Sequence, residues 1–149
     1  MDEVTVIAAH DSDFAWFAGQ APPTRPLRVA PEIAPPEVLE VVRGLHANWL
    51  IVASDKVVGL VGIKSEPTDG EAEIAYGIAP LRQRRGLASA AVRALLALLK
   101  RDGELSAITA ECGIDNVGSR RVLEQNGFAR VGERIDEEDG PLLIWRRPL

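Results

Sequence analysis

The sequence predicts a mixed α/β (α+β) fold in which a mostly antiparallel sheet of about seven strands is flanked by about four helices. Short runs of alternating apolar residues recur along the chain, and turn residues separate several of them by only a few positions. One longer segment, residues 87–101, carries apolar residues at helical spacing in a stripe broad enough to cover a sheet. The 149 residues fit a single domain, residues 1–149.

The N-terminal part is predicted to contain one strand and two helices. Residues 4–8 alternate as a short strand, and the Asp-Ser-Asp triplet at residues 11–13 offers an N-cap for a brief helix. Six of the ten prolines fall within residues 22–36, which predicts a loop. The second helix is expected to begin near Pro36, because proline is tolerated in a first turn, and to run toward Leu45.

The remaining strands form antiparallel hairpins at both ends of the predicted sheet. A Ser-Asp turn at residues 54–55 and a Thr-Asp-Gly turn at residues 68–70 connect three consecutive strands, and a last hairpin closes the chain. The predicted strands after the first are residues 49–53, 56–63, 71–78, 107–112, 129–135 and 142–146.

Two helices are predicted in the C-terminal half. The apolar helix over residues 87–101 ends just before Gly103, a residue type that commonly follows a helix. A shorter helix over residues 117–126 has Asp115 or Asn116 near its N-cap.

The composition narrows the class of protein. With 17 basic and 22 acidic side chains the net charge is −5, which argues against a nucleic-acid binder. No run of eighteen apolar residues is present to cross a membrane, and residues 1–3 lack the pattern of a signal peptide, so a cytoplasmic protein is expected. Cys112 is the only cysteine, which excludes an internal disulfide, and no metal-ligand spacing occurs, so no metal is expected.

Cationic side chains are crowded directly ahead of the apolar helix. Three arginines lie within residues 82–88. The free N–H groups of a helix's first turn carry roughly +0.5 of an elementary charge, so arginines are unfavourable there unless something negative lies among them. Gly86 and Ala88 let a ligand approach the backbone closely. Since a predicted strand precedes this turn, the segment predicts a phosphate-binding site.

The kind of phosphate ligand follows from the motif. A nucleotide P-loop and a dinucleotide-binding turn both need residues that are missing here. The pattern Q-x-x-G-x-A, given by Gln83, Gly86 and Ala88, resembles the pyrophosphate motif of the GNAT superfamily of acyl-CoA-dependent N-acyltransferases. A second motif over residues 116–128, N-x-x-S followed by R-V-L-E and N-G-F, is similar to the ribosomal-protein N-terminal acetyltransferase branch. The resemblance spans about residues 49–145.

This resemblance implies a cosubstrate, a reaction and a set of binding residues. Acetyl-CoA would donate its acetyl group to a primary amine, on a small molecule or a protein N-terminus, by direct attack in a ternary complex. The backbone N–H near Ile78 would hold the thioester oxygen, the amides from Arg84 to Ser89 the pyrophosphate, and Asn116 the pantetheine arm. The cofactor-binding residues it implies are Tyr76, Gly77, Ile78, Gln83, Arg84, Arg85, Gly86, Leu87, Ala88, Ser89, Asn116 and Ser119.

Two glutamates are candidates for the general base that deprotonates the amine. Glu73 lies on the strand that enters the site, between Ala72 and Ile74, so that partial burial would raise its pKa. Glu111 resembles the base glutamate of the ribosomal N-terminal acetyltransferases, because it precedes Asn116 by five residues. Glu111 is slightly preferred, and both are able to hold a water that relays the proton.

The residue that protonates the leaving thiolate departs from the family pattern. Many members have a tyrosine seven residues after the asparagine, where this chain has Leu123. Ser119 is the nearest substitute, and Tyr76 is expected beside the acetyl group rather than as an acid. The missing tyrosine leaves open an alternative, a non-catalytic acyl-CoA-binding or sensing module. A homodimer through the edge strands is also left open.

Overall fold

In the computed structural model, which describes residues 3–149, one mixed sheet of eight strands runs through the molecule with four α-helices packed on it. The strands are β1 (Val4–Ala8), β2 (Arg28–Val29), β3 (Ala47–Ala53), β4 (Lys56–Ile63), β5 (Glu71–Ile78), β6 (Ala107–Gly113), β7 (Ala129–Asp136) and β8 (Gly140–Pro148). The helices are α1 (Asp11–Phe17), α2 (Pro36–Arg43), α3 (Leu87–Asp102) and α4 (Val117–Gln125), with a 3-10 turn at Pro80–Arg82. This architecture confirms the predicted fold class.

Several details differ from the sequence prediction. Strand β3 begins at Ala47 rather than at residue 49, and β8 spans Gly140–Pro148 rather than residues 142–146. The two-residue strand β2 adds an eighth strand, which was too short to give an alternating pattern. The N-cap of α1 is His10 rather than a residue of the 11–13 triplet, because Asp13 accepts a hydrogen bond from the His10 backbone N–H at 2.7 Å. Helix α2 ends at Arg43, two residues short of Leu45. Met1 and Asp2, on which the signal-peptide expectation partly rests, lie outside the described residues.

The strand order is β1-β3-β4-β5-β6-β8-β7, and β2 pairs with β4. Adjacent strands along this order are antiparallel except for β5 and β6, which run parallel. Their pairing covers Glu71–Ile74 on β5 and Ala107–Ala110 on β6 and then stops, although both strands continue. The carboxyl ends of β5 and β6 therefore diverge and leave a gap in the sheet.

Apolar residues cover both faces of the sheet. On one face, α3 buries Ala91, Val92 and Leu95 completely, and Leu123 of α4 joins the same core. On the other face, a smaller core around Leu50 receives α1 and α2. None of the helices within residues 3–149 is long and apolar enough to span a membrane. The end of β5 is therefore flanked by α3 and α4 on one side and by α2 on the other.

Candidate active site

A cleft of about 850 Å³ opens where β5 diverges from β6. Its walls come from the last residues of β5, the turn before α3, the first turn of α3 and one face of α4. The structure brings all the predicted cofactor-binding residues except Arg85 to this cleft. They are Tyr76, Gly77, Ile78, Gln83, Arg84, Gly86, Leu87, Ala88, Ser89, Asn116 and Ser119.

The turn before α3 is shaped to present backbone N–H groups. Arg84 and Gly86 both have left-handed backbone conformations, with φ of 64° and 74°. Such turns direct successive N–H groups toward one concave point that attracts anions. The first hydrogen bond of α3 runs from Ala90 N to Gly86 O, at 3.1 Å, so the amides of residues 87–89 precede the helical ladder. This geometry suits a phosphate.

Gln83 fixes this turn against the strand. Its side-chain amide donates to the Ile78 carbonyl oxygen at 3.0 Å, which ties the motif to the end of β5. A Cβ added to Gly86 would meet nothing within 4 Å, so the space beside the turn is free of protein. Gln83 is therefore a positioning residue, and Gly86 leaves room for a ligand.

The charge of the cleft is positive. Arg82, Arg84 and Arg121 line it, and among the described residues no acidic side chain does. Arg85 is exposed and lies outside the lining, so its predicted contact with phosphate is not supported by this geometry. The Ser89 hydroxyl is buried and accepts a hydrogen bond from the Asn126 amide at 3.2 Å, which leaves the backbone of Ser89 for a ligand.

The free edge of β5 directs backbone groups into the gap. Lys64 N donates to Glu73 O at 2.9 Å, and Ala79 N donates to Val58 O at 2.8 Å. Because antiparallel strands alternate the direction of their backbone groups, odd-numbered residues of β5 bond β4, and Ile78 points its N–H toward β6. Since β6 has already diverged there, the Ile78 N–H faces the cleft.

Helix α4 supplies the opposite wall. Asn116 is its N-cap and accepts a hydrogen bond from Ser119 N at 3.1 Å, which uses the side-chain oxygen and leaves the amide nitrogen free to donate. The Ser119 hydroxyl lies 2.7 Å from the Tyr76 hydroxyl on β5. Burial raises the pKa of Tyr76, so its phenol stays protonated at neutral pH. Two hydroxyl groups therefore meet across the cleft.

Further lining residues of α4 were missed by the sequence prediction. Val117, Gly118, Arg121, Val122 and Gln125 also line the cleft. They recur at the three-to-four-residue spacing of one helical face, together with the predicted Ser119. This spacing was the available signal, because one assigned residue on a short helix implicates the others on its face.

The two candidate base glutamates lie on the face of the sheet that carries α1 and α2. Glu111 forms a bidentate ion pair with Arg134, in which Nη2 donates to Oε1 at 3.0 Å and Nε donates to Oε2. This hydrogen bonding lowers the pKa of Glu111 below its usual range. Glu73 pairs with Lys64, with Nζ 3.0 Å from Oε2. Neither glutamate lines the cofactor cleft.

A second cavity, of about 680 Å³, lies between α2 and the sheet, and we call it the α2 channel. Its lining includes Val38, Val41 and Val42 of α2, and Leu60 and Lys64 from the region of β4. The α2 channel shares four lining residues with the cofactor cleft, namely Tyr76, Gly77, Ile78 and Gln83. The end of β5 is thus the place where two cavities meet.

Comparison with known proteins agrees with this geometry. The sequence matches the acetyltransferase (GNAT) domain family over residues 8–129. A ribosomal-protein-serine acetyltransferase of Escherichia coli is 32% identical over 91 residues, a match covering 60% of this chain and 51% of that protein. The chain spans about half the length of the curated relatives it matches.

Solved structures show the same fold. RimL, a ribosomal-protein alpha-N acetyltransferase in complex with coenzyme A, superposes with a TM-score of 0.73 at 20% identity, covering 99% of this chain and 94% of RimL. The aminoglycoside acetyltransferase AAC(6')-Ib, in complex with coenzyme A, gives 0.70 at 22% identity, covering 97% and 94% of the two chains. The family match over most of the chain and the cleft at the diverging strands together show that this chain belongs to the GNAT acetyltransferase family.

Proposed function

We propose that the protein is an N-acetyltransferase that moves an acetyl group from acetyl-CoA to a primary amine by direct attack in a ternary complex. The observation that carries this proposal is the meeting of two cavities at Tyr76, Gly77 and Ile78. The positive cleft on one side suits the phosphates of acetyl-CoA, and the α2 channel on the other gives an amine its own route to the thioester. Family members of this fold, RimL and AAC(6')-Ib, bind coenzyme A.

The proposed binding of acetyl-CoA uses mostly backbone groups. Amides of residues 84–89 bind the pyrophosphate, with Arg84 and Arg121 adding charge. The amide nitrogen of Asn116 donates to the pantetheine arm. The thioester oxygen then lies at the Ile78 N–H, which stabilises the negative charge that develops on this oxygen during attack.

The proposed reaction forms one C–N bond and breaks one C–S bond. The neutral amine nitrogen attacks the thioester carbon, the tetrahedral intermediate collapses, and the CoA sulfur leaves as a thiolate. The proton of the amine passes to water held by Glu111 or Glu73. The thiolate takes its proton or a hydrogen bond from the Tyr76 and Ser119 hydroxyl pair, which lies on the cofactor side of β5.

A non-catalytic acyl-CoA-binding module is the second candidate. One observation favours it: Leu123, at the position of the usual tyrosine, is fully buried in the apolar core and cannot donate a proton. The hydroxyl pair offers a substitute donor, and for this reason we prefer the enzyme.

Calorimetric titration of acetyl-CoA, CoA and dephospho-CoA, followed by thiol release in the same preparation, tests the proposal. The amine panel includes amino-acid amides, polyamines, aminoglycosides and N-terminal peptides. We expect micromolar binding of acetyl-CoA and amine-dependent release of CoA thiol. Binding without release from any amine would support the module, and no binding would overturn both candidates.

A further inference from the structure

We infer that the α2 channel selects acceptors whose reacting amine adjoins an apolar group, and that it disfavours polycationic amines. The inference rests on the proposed function, because it names the substrate class of that same site. The shared chemistry is a primary amine on a carbon that bears an aliphatic or aromatic substituent, which a free amino-acid derivative and a peptide N-terminus both supply.

The lining of the channel is the first observation. Its side chains are mostly aliphatic, and they include Ile33, Val38, Val41, Val42, Leu45 and Leu60. A cavity of about 680 Å³ is within the size range of small-molecule sites and holds an amino-acid side chain with room to spare. Such a surface recognises a ligand by removing the ligand's apolar area from water.

The exposure of two valines on α2 is the second observation. Val38 and Val41 keep 41% and 65% of their surface exposed, whereas Leu39 of the same helix is buried in the core around Leu50. The two valines are three residues apart and lie on one face of the helix. This apolar face is not used to hold the fold together, and it borders the channel.

The charge of the channel is the third observation. Of the lining side chains within residues 3–149, only Glu32 and Lys64 are charged, and the Lys64 ammonium is paired with Glu73 at 3.0 Å. A polyamine or aminoglycoside would bring several positive charges to a surface with one lining carboxylate and one lining ammonium. Burying those charges without partners is unfavourable, whereas a single amine beside an apolar group leaves its charge only at the β5 end.

The position of the β5 end makes the discrimination steric as well. The amine must reach the residues shared with the cofactor cleft, Tyr76, Gly77 and Ile78. The substituent next to the amine then lies back along the channel, toward Val41 and Val38. A leucine-sized substituent should therefore raise kcat/KM about 10- to 100-fold over glycine, which has none.

The test compares glycinamide, leucinamide, phenylalaninamide and spermidine as acceptors by thiol release, and a leucine-initiated tetrapeptide separates the two acceptor sources. We expect kcat/KM for leucinamide and phenylalaninamide to be at least 10-fold higher than for glycinamide. Their advantage over spermidine should be larger still. A further gain with the peptide would identify a polypeptide N-terminus as the source, and no gain would identify a small amine. Equal kcat/KM for glycinamide, leucinamide and spermidine would overturn the inference.

Val41→Asp locates the selection in the channel. Val131→Asp is the matched control, because Val131 is 57% exposed on the edge strand β7 and lies outside both cavities. We expect Val41→Asp to lose at least 10-fold in kcat/KM for leucinamide and to keep the acetyl-CoA affinity, with Val131→Asp unchanged. Equal effects of the two variants, or no effect of Val41→Asp, would overturn the inference.

A binding measurement separates this inference from the proposed function. Saturation-transfer NMR of leucinamide on the CoA-saturated protein should give a signal that Val41→Asp removes and Val131→Asp keeps. If that pattern is found but no amine releases thiol, the enzyme proposal fails and the channel inference stands. If thiol release is found but the NMR signal does not depend on Val41, the channel inference fails and the enzyme proposal stands.

Discussion

The hydroxyl oxygens of Tyr76 on β5 and Ser119 on α4 lie 2.7 Å apart, and this bond connects the two walls of the cofactor cleft. Only one of the two hydroxyls can donate in this bond, so the proton of the other is free to point elsewhere. The usual tyrosine of the family motif is replaced here by Leu123, whose side chain is buried in the core. The hydroxyl pair is therefore the group in the cleft that we assign to the leaving thiolate as a hydrogen-bond donor.

Tyr76→Phe and Ser119→Ala test this role. We expect each variant to lower kcat about 10-fold, because a hydrogen bond to a charged group contributes about 1.5 kcal/mol or more. The double variant should lose little more than either single variant, since the two groups act as one unit. Steady-state thiol release measures kcat for the two single variants and the double variant. Additive losses in the double variant would show that the two hydroxyls act separately.

Gly86 and Gly103 offer a matched pair at the two ends of α3. Both have φ above 70°, and a Cβ at either one meets no other atom within 4 Å. Substitution by alanine should cost each variant about 1 kcal/mol of unfolding free energy, because of the left-handed backbone. Substitution by glutamate should remove acetyl-CoA affinity only at Gly86, through bulk and charge.

Calorimetry on Gly86→Glu and Gly103→Glu measures the affinity, and thermal denaturation of the two alanine variants measures the shared backbone cost. Normal affinity in Gly86→Glu would remove this turn from the phosphate site.

The arginines near the cleft should differ in how much they contribute to acetyl-CoA binding. Arg84 and Arg121 line the cleft, whereas Arg85 is exposed outside it. We expect Arg84→Ala and Arg121→Ala each to weaken acetyl-CoA binding about 5- to 10-fold, with a weaker dependence on salt concentration. Arg85→Ala should bind as the unchanged protein does. A loss in Arg85→Ala as large as in Arg84→Ala would mean that the cluster acts only through its total charge.

The position of Glu111 relative to the gap favours it over Glu73 as the catalytic carboxylate. Glu73 pairs with Thr109 inside the β5–β6 ladder, whereas Glu111 is the first residue of β6 beyond the last pair, Ile74 with Ala110. Arg134 holds the Glu111 carboxylate in one place. Its lowered pKa makes it a weaker base but keeps it ionised and able to orient a water at neutral pH.

Substitution of each glutamate by glutamine separates the two. We expect Glu111→Gln to lower kcat about 100-fold with little change in KM, and Glu73→Gln to lower it less. Profiles of kcat against pH provide the measurement. An unchanged kcat across pH in Glu111→Gln would remove that residue from the mechanism.

The ion pair between Glu111 and Arg134 should also make stability depend on pH. Because the pKa of Glu111 is lower in the folded protein than its ordinary value of 4.5, the contribution is fully present above that value. It is lost as the pH falls through the folded pKa, when the carboxylate takes up a proton. The melting temperature of Glu111→Gln should therefore lie below that of the unchanged protein at pH 7 and approach it at pH 3. An equal difference in melting temperature at pH 7 and pH 3 would contradict the lowered pKa of Glu111.

Much of the secondary structure could be predicted from the sequence, because the patterns that indicate strands and turns are local in the chain. The predicted bounds of β1, β4 and β5 agree with the structure, since each strand is a short run of residues that ends near polar or turn residues in the chain. The turn at residues 54–55 has φ of 51° and 62°, which polar residues such as Ser and Asp tolerate better than branched ones. The turn before α3 also gave a local signal, because arginines that oppose the helix dipole lie beside a glycine within seven residues.

The sequence by itself determined seven of the eight strands, the four helices, the motif at the turn from Gln83 to Ala88 and the family. Only the tertiary structure decided that β5 and β6 separate after Ile74, that Tyr76 meets Ser119, that Arg134 holds Glu111 and that α2 leaves an apolar channel beside β5. Each of these features joins parts of the chain that are distant in sequence. Spacing along a chain reports local conformation, whereas contacts between distant segments depend on strand register and on how helices pack, and a single sequence does not display them.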